Sequence, residues 1–317
     1  MPYYDPTTAE YLDPSVTRKV AVITGGTTGI GWYTILHLYL HGYVVYIAAR
    51  DPIKVQKAIT IVKIEATNRN SGHPVGELHY VEMDLMLLLL VSQAAEKLAM
   101  FEPKIDILIN NAGIMAVKYA LTEDGHEVQR QVNFVGHMLL TMKLLPQLEA
   151  SPAARVVFVS LAGHNFAYRY FDPTDNIEGW PDALWTWVRY GNAKAAQIHF
   201  VRYMAREHPR ILWLAVHPGT VAGTNMLDAW KQNFVLRLVL TGIVKAVDYT
   251  VGITNEEGLL STLRAALDPE LLAESDNGVY LLTGGVELSP LAMARSGANA
   301  RQTVEYYLQH MKETGFL

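Results

Sequence analysis

Short, unbroken apolar runs recur along the 317-residue chain at 20–24, 44–49, 78–83, 105–109, 155–160, 211–217 and 279–282, with helix-length stretches between them. A strand with one wet face alternates polar and apolar residues, whereas an unbroken run is dry on both faces. Strands of the second kind belong to a parallel sheet covered by helices on each side. The pattern therefore predicts an α/β fold, a doubly wound parallel sheet of about seven strands in the Rossmann-like manner. Asp51 before Pro52 and Asp268 before Pro269 each read as a helix N-cap followed by proline at the first helical position. Thr122-Glu123-Asp124-Gly125 reads as a turn opening into another helix. No Gly/Ser/Pro-rich linker, charge block or internal repeat divides the chain, so residues 1–317 are expected to form one domain, with 1–18 as an N-terminal extension.

Composition narrows the function. Half the residues are hydrophobic and the net charge is -5, which gives no general electrostatic reason to bind nucleic acid. The chain has no cysteine, which excludes disulfides, thiolate catalysis and Cys-ligated metals. The N-terminus lacks the basic and apolar regions of a signal peptide, and the longest apolar run, 85–91, is far short of the roughly 20 residues of a membrane span. A soluble, cytoplasmic protein is expected, with a homo-oligomer left open. His37 and His41 share the i, i+4 spacing of a metal pair, but no third ligand completes a site and no metal is expected.

The first apolar run leads into Thr24-Gly25-Gly26-Thr27-Thr28-Gly29-Ile30-Gly31. Gly25, Gly29 and Gly31 are spaced G-x3-G-x-G, one residue longer than the six-residue dinucleotide fingerprint. The physical logic is the same: one glycine allows a tight turn, the others let backbone approach a pyrophosphate, and a helix N-terminus offers free amides. The alternative is a glycine-rich turn that binds nothing. Arg50 ends the second run where an adenosine ribose would lie, and it would pair with a 2′-phosphate; Ala49 leaves the acidic slot empty, and Asp51 reads more simply as a cap. NADP(H) is thus favoured over NAD(H). Asp84, with Leu85 beside it, follows the third run and either accepts from the adenine amino group or caps a turn. Asn110-Asn111-Ala112-Gly113 ends the fourth run and lets backbone pass close to the cofactor.

Far downstream, Tyr190 and Lys194 stand one helical turn apart, a phenol beside an ammonium. With a phosphate cradle upstream, the pair indicates an enzyme that moves a proton together with a hydride. Two stretches interrupt the α/β alternation: the aromatic-rich 164–188 and the mostly apolar 226–252. Both follow strands at their C-terminal ends, where open α/β sheets bind ligands. Either they cap a large apolar substrate, with His164, Tyr168, Trp185, Trp187 and Met226 as candidate contacts, or they pack over the core.

The Thr-Gly-x3-Gly-Ile-Gly loop, Asn-Asn-Ala-Gly, Tyr-x3-Lys and His217-Pro218-Gly219-Thr220 occur in the order seen in the short-chain dehydrogenase/reductase family, which the chain resembles over about residues 18–290. Ala48-Ala49-Arg50-Asp51, 121–125, 132–137 and Tyr190-Gly191-Asn192-Ala193-Lys194 resemble the branch of retinol dehydrogenases and WW-domain oxidoreductases. The resemblance implies that Tyr190 is the catalytic acid/base. Lys194 would lower its pKa and hold the nicotinamide ribose, and Asn133 would hold a water leading from Lys194 to solvent. The alternative for Asn133 is an amide that pins backbone. Ser160 would orient the substrate oxygen, although relatives commonly carry two serines there and this chain reads Ser160-Leu161. Pro218, Gly219 and Thr220 would line the nicotinamide end, with a helix cap as the alternative for Thr220. The implied activity is NADP(H)-dependent interconversion of a carbonyl and an alcohol on a hydrophobic small molecule. A non-redox isomerase or cyclase and a non-catalytic dinucleotide-binding protein are the competing readings.

Overall fold

A computed structural model of the protein describes residues 3–70, 72–160, 182–219 and 253–317. Strands β1 (Val20–Thr24), β2 (Val44–Ala49), β3 (Glu77–Glu82), β4 (Ile107–Asn110), β5 (Arg155–Val159), β6 (Leu212–Val216) and β7 (Tyr280–Leu281) make one seven-stranded sheet. Its order is β3-β2-β1-β4-β5-β6-β7, and every neighbouring pair is parallel. All seven apolar runs are therefore strands. β3 is the exception in character: it lies at the sheet edge and exposes Glu77 and Glu82, so it is not dry on both faces. The chain order reverses between β1 and β4, which puts a crevice at the carboxyl ends of those two strands.

Helices α1 (Gly29–Leu40), α2 (Pro52–Arg69), α3 (Leu88–Phe101), α4 (Val128–Arg130), α5 (Gly136–Lys143), α6 (Leu145–Glu149), α7 (Asp182–Glu207), α8 (Asn255–Gly258), α9 (Leu260–Leu267), α10 (Ala292–Arg295) and α11 (Gly297–Glu313) surround the sheet, with a π turn, Gln131–Val135, joining α4 to α5 and short 3-10 turns at Pro6–Thr8 and Thr283–Gly285. The pleat sends alternate strand residues to opposite faces. Val22, Leu108, Val156 and Trp213 pack with residues of α3, α5, α7 and α11. Ala21, Ile23, Ile109 and Leu214 pack with α1, α2 and α9.

Local chemistry sets the helix ends. Asp51 caps α2 as expected, accepting the amides of Ile53 and Lys54 at 3.0 Å each. Asp268 does not cap a helix start. Its carboxylate is taken by Arg264 Nε at 2.9 Å and by the Glu270 amide, and it closes α9 instead. The turn at 122–125 leads into α4 through Glu127, whose carboxylate accepts the Arg130 amide at 2.8 Å. The N-terminal extension is tied down by the Tyr4 amide on the Gly284 carbonyl at 3.1 Å and by Leu12 on His41 at 3.0 Å. Among the described residues no helix is long and apolar enough to cross a membrane.

Helix α11 buries Val304, Tyr307 and Met311 on one stripe, and the Tyr307 ring meets Phe134 of the π turn edge-on at 5.3 Å. Thr303 reaches His199 of α7 at 3.1 Å. Replacing a fully buried ring of this size by alanine costs about 3–5 kcal/mol. Tyr307→Ala is expected to lose that much in urea unfolding, and a loss below about 1 kcal/mol would show that α11 does not stabilise this core.

Candidate active site

The glycine loop is shaped first by its own packing. Gly25 has φ +69°, and a Cβ there would lie 2.8 Å from the Ala112 side chain. A Cβ on Gly31 would come within 2.3 Å of the Gly25 carbonyl oxygen and 2.6 Å of Asn111 Nδ2. Asn111 donates from Nδ2 to the carbonyls of Thr24 at 2.9 Å and Gly25 at 2.7 Å. It staples the loop, a role that spacing alone does not reveal. Gly29, at φ +59°, starts α1, and the Thr28 side chain makes no capping bond there. The first-turn amides of Gly29, Ile30 and Gly31 thus have no side-chain cap from Thr28, the arrangement that binds anions at a helix N-terminus. Thr27 is half-buried beside them.

On the adenosine side, Arg50 is exposed and makes no hydrogen bond or ion pair among the described residues, while Asp51 is spent on the α2 cap. Asp84 Oδ1 accepts the Met86 amide at 2.9 Å, which is the turn-capping alternative. Leu85 packs inward, its side chain near Gly136 and its carbonyl on Gln131 Nε2 at 3.3 Å.

Tyr190 and Lys194 lie on α7 facing the ends of β4 and β5, with relative exposures of 1 % and 2 %. Lys194 Nζ sits 5.6 Å from the centre of the Tyr190 ring and donates to the Val159 carbonyl at 2.8 Å. Gly113 makes room for Asn133 beside it: a Cβ there would stand 3.0 Å from Asn133 Oδ1, with Lys194 Nζ in ordinary contact at 3.7 Å. The Tyr190 hydroxyl is buried and has no hydrogen-bond partner among the described residues. The expected lowering of the phenol pKa by Lys194 is not what the geometry gives. Burial pushes the Tyr190 phenol well above its ordinary value, reinforced by Tyr280, and burial brings Lys194 down to about 7. Desolvation disfavours both charges, and the ammonium is aimed at a carbonyl rather than at the hydroxyl.

Ser160 is fully buried, and its hydroxyl donates to the Lys194 carbonyl at 3.1 Å. Asn133 pins backbone: Oδ1 accepts the Ile114 amide at 2.8 Å and Nδ2 donates to the Ile114 carbonyl at 2.9 Å. Its main-chain carbonyl is occupied by Gln197 Nε2 at 2.6 Å and His137 Nδ1 at 3.1 Å, which leaves the water-holding role implied by resemblance without a free acceptor at that carbonyl. Gln129 similarly holds the Ala116 amide at 3.0 Å, with Ala116 at φ +57°, and reaches Thr186 of α7. Sequence reasoning misses Thr24, Gln129, His137 and Gln197; the one local signal is that Tyr190, Lys194 and Gln197 fall at i, i+4 and i+7.

Gly219, at φ +89°, is demanded by packing, since a Cβ would meet Ile253 Cδ1 at 2.5 Å and Thr283 Oγ1 at 2.6 Å. Pro218 is buried beside it. Trp185 and Trp187 are half-buried on α7, and at two positions apart they point to nearly opposite sides of the helix. One pocket wall can take only one of them, and Trp187 shares the Tyr190 face. Leu161, His164, Tyr168, Thr220 and Met226 lie outside the described residues.

A family model described as short chain dehydrogenase matches residues 19–169. The chain is 34% identical to the short-chain dehydrogenase/reductase drtF of Aspergillus calidoustus over 89% of this chain and 90% of that protein. The chain belongs to the short-chain dehydrogenase/reductase family. Its similarity extends to the retinol dehydrogenase branch: human retinol dehydrogenase 14 is 32% identical over 90% of this chain and 85% of that protein. Among solved structures, a short chain dehydrogenase from Escherichia coli CFT073 complexed with NADPH aligns with TM-score 0.59 and 19% identity, covering 83% of this chain and 95% of that one. The family is one of oxidoreductases that act on small molecules with a nicotinamide dinucleotide.

Lys194 gives this site a pH signature. Its folded pKa of about 7 lies below the ordinary 10.5, so between these values the unfolded chain holds a proton that the folded protein does not. Stability must then rise with pH across that window, by up to about 1.4 kcal/mol per unit, and level off below about pH 7. Urea unfolding from pH 6 to 9.5 is expected to show this slope in the wild type and a flatter one in Lys194→Met. Parallel slopes would place a solvated ammonium at this position.

Proposed function

We propose that the protein is an NADP(H)-dependent oxidoreductase interconverting a carbonyl and an alcohol on a hydrophobic small molecule. The observation that carries this reading is the buried Tyr190 hydroxyl, unpartnered among the described residues and one helical turn from Lys194, beside a glycine loop whose helix N-terminus lacks a side-chain cap. Family membership supports the redox class, and the NADPH complex of the Escherichia coli homologue supports the phosphorylated dinucleotide.

The residues fit that group. The amides following Thr28 would take the pyrophosphate, with Thr27, Ile30 and the three loop glycines shaping the cradle. Arg50, exposed at the end of β2, would pair with the 2′-phosphate. Asp84 and Leu85 would border the adenine, Ala112 and Gly113 the ribose side, and Pro218, Gly219 and Thr220 the nicotinamide end. Bound nicotinamide supplies the hydride. In the reducing direction Tyr190 gives its proton to the substrate oxygen, and burial keeps the phenol protonated until that oxygen arrives. Lys194 donates to the Val159 carbonyl, and to return the proton its amine would have to turn from that carbonyl toward the hydroxyl. Trp187 on the Tyr190 face, together with His164, Tyr168 and Met226, would meet the apolar substrate. A cytoplasmic site of action belongs to the same proposal.

Ser160 favours a second reading. Its hydroxyl is engaged by the Lys194 carbonyl, which weakens the oxygen-orienting half of a redox site and suits a proton-moving isomerase or cyclase. Product formation without nicotinamide consumption would select that reading.

Two variants test the redox proposal. With NADPH and a panel of apolar aldehydes and ketones, Tyr190→Phe is expected to lose on the order of 10²- to 10⁴-fold in kcat while still binding NADPH. Arg50→Ala is expected to weaken NADPH about tenfold or more and leave NADH unchanged. Tight NADPH binding with no turnover across the whole panel would refute the redox assignment.

A further inference from the structure

Thr24, Asn133, His137 and Gln197 form a fully buried polar chain, with Thr141 and Asn110 branching from the His137 carbonyl. The Thr24 hydroxyl oxygen is 3.0 Å from the backbone nitrogens of both Asn111 and Ala112, which can only donate. A hydroxyl oxygen has two lone pairs, so both are filled and its own hydrogen must point elsewhere. The available acceptor is His137 Nε2, 2.8 Å away. Nε2 is therefore unprotonated and the imidazole proton sits on Nδ1, which donates to the Asn133 carbonyl at 3.1 Å. Burial pushes His137 down to about 3 and keeps it neutral.

The same carbonyl accepts Gln197 Nε2 at 2.6 Å, and this fixes the amide orientation, because an oxygen turned toward a carbonyl oxygen would be repelled. An ordinary α-turn commits each carbonyl to the amide four residues on; the π turn at Gln131–Val135 reorders that ladder, and here the carbonyl takes two side-chain donors. The chain of bonds starts at the cofactor-side end of β1, crosses the Asn111-Ala112 segment and the π turn, and ends on α7. Gln197 lies three residues after Lys194 and seven after Tyr190, on the same helical face.

We propose that His137 and Gln197 are positioning residues: through the Asn133 carbonyl they fix α7, and with it Tyr190 and Lys194, against the loop that would hold the dinucleotide. This rests on the redox reading for its kinetic consequences and on hydrogen bonding alone for its structural ones. A misplacement of about 1 Å between reacting groups costs on the order of 100-fold in rate. The chain sets that distance without touching substrate.

Three measurements test it. In protein labelled with ¹⁵N-histidine, the resonances lost in His137→Asn should report a neutral imidazole protonated at Nδ1 and unchanged from pH 5 to 9; an Nε2-protonated or titrating ring overturns the proposal. In turnover, His137→Ala and Gln197→Leu should each lower kcat roughly 10- to 100-fold with substrate KM changed less than about threefold. His137→Asn, which keeps a donor where Nδ1 stood, should recover most of the loss. Folded variants with unchanged kcat overturn it, because a merely structural role would lower melting temperature alone. If no carbonyl substrate is turned over, the redox reading falls separately, and the tautomer together with nicotinamide binding by the variants decides the positioning role. The tautomer in the wild type also decides it if the alanine variant does not fold.

Discussion

Everything at the carboxyl end of this sheet hangs on one hydroxyl. Thr24 closes β1 at the point where strand order reverses, and its oxygen accepts the first two amides after β4. Without that acceptor two part-buried backbone donors would lose their partner, at up to about 1–3 kcal/mol each. Asn111, positioned by the same contact, then staples the glycine loop through two carbonyls, and Gly31 must be bare to admit its amide. The crevice where a dinucleotide would lie is thus built by bonds between two strand ends before any ligand contributes.

Burial, more than mutual attraction, governs the Tyr190 and Lys194 pair. A cation near a phenol stabilises the phenolate, but removing both groups from water penalises each charge, and in this geometry the penalty dominates. The consequence is a site that stores its proton as a neutral hydroxyl beside an amine close to its own neutral point. The polar groups around it are otherwise engaged: Ser160 on the Lys194 carbonyl, Asn133 on Ile114, Gln129 on Ala116. The left-handed backbone at Ala116 is a residue-level strain of order 1 kcal/mol that such clamping can hold in place.

Much of this is legible in the chain because it is local. Buried parallel strands announce themselves as unbroken apolar runs, and Asp51-Pro52 and Tyr190-x3-Lys194 carry their geometry in their spacing. What is hidden depends on partners far away in sequence. Asn111 looks like a turn residue until Thr24, 87 positions earlier, is seen to receive its amide. Gln197 looks like an ordinary helical side chain until Asn133, 64 positions earlier, is found beneath it. Asp268 reads as a cap from its proline and is captured instead by Arg264, a competition that local rules cannot judge. β3 reads as buried from its apolar residues, yet its place at the edge is a property of topology.

The seat of α11 on α7 also bears on assembly. Along the helix that carries Tyr190 and Lys194, one stripe is already covered from within the chain, where Thr303 of α11 meets His199. A second copy could not dock on that stripe without displacing α11. The helix that carries Tyr190 and Lys194 thus has its outer support built into the same chain.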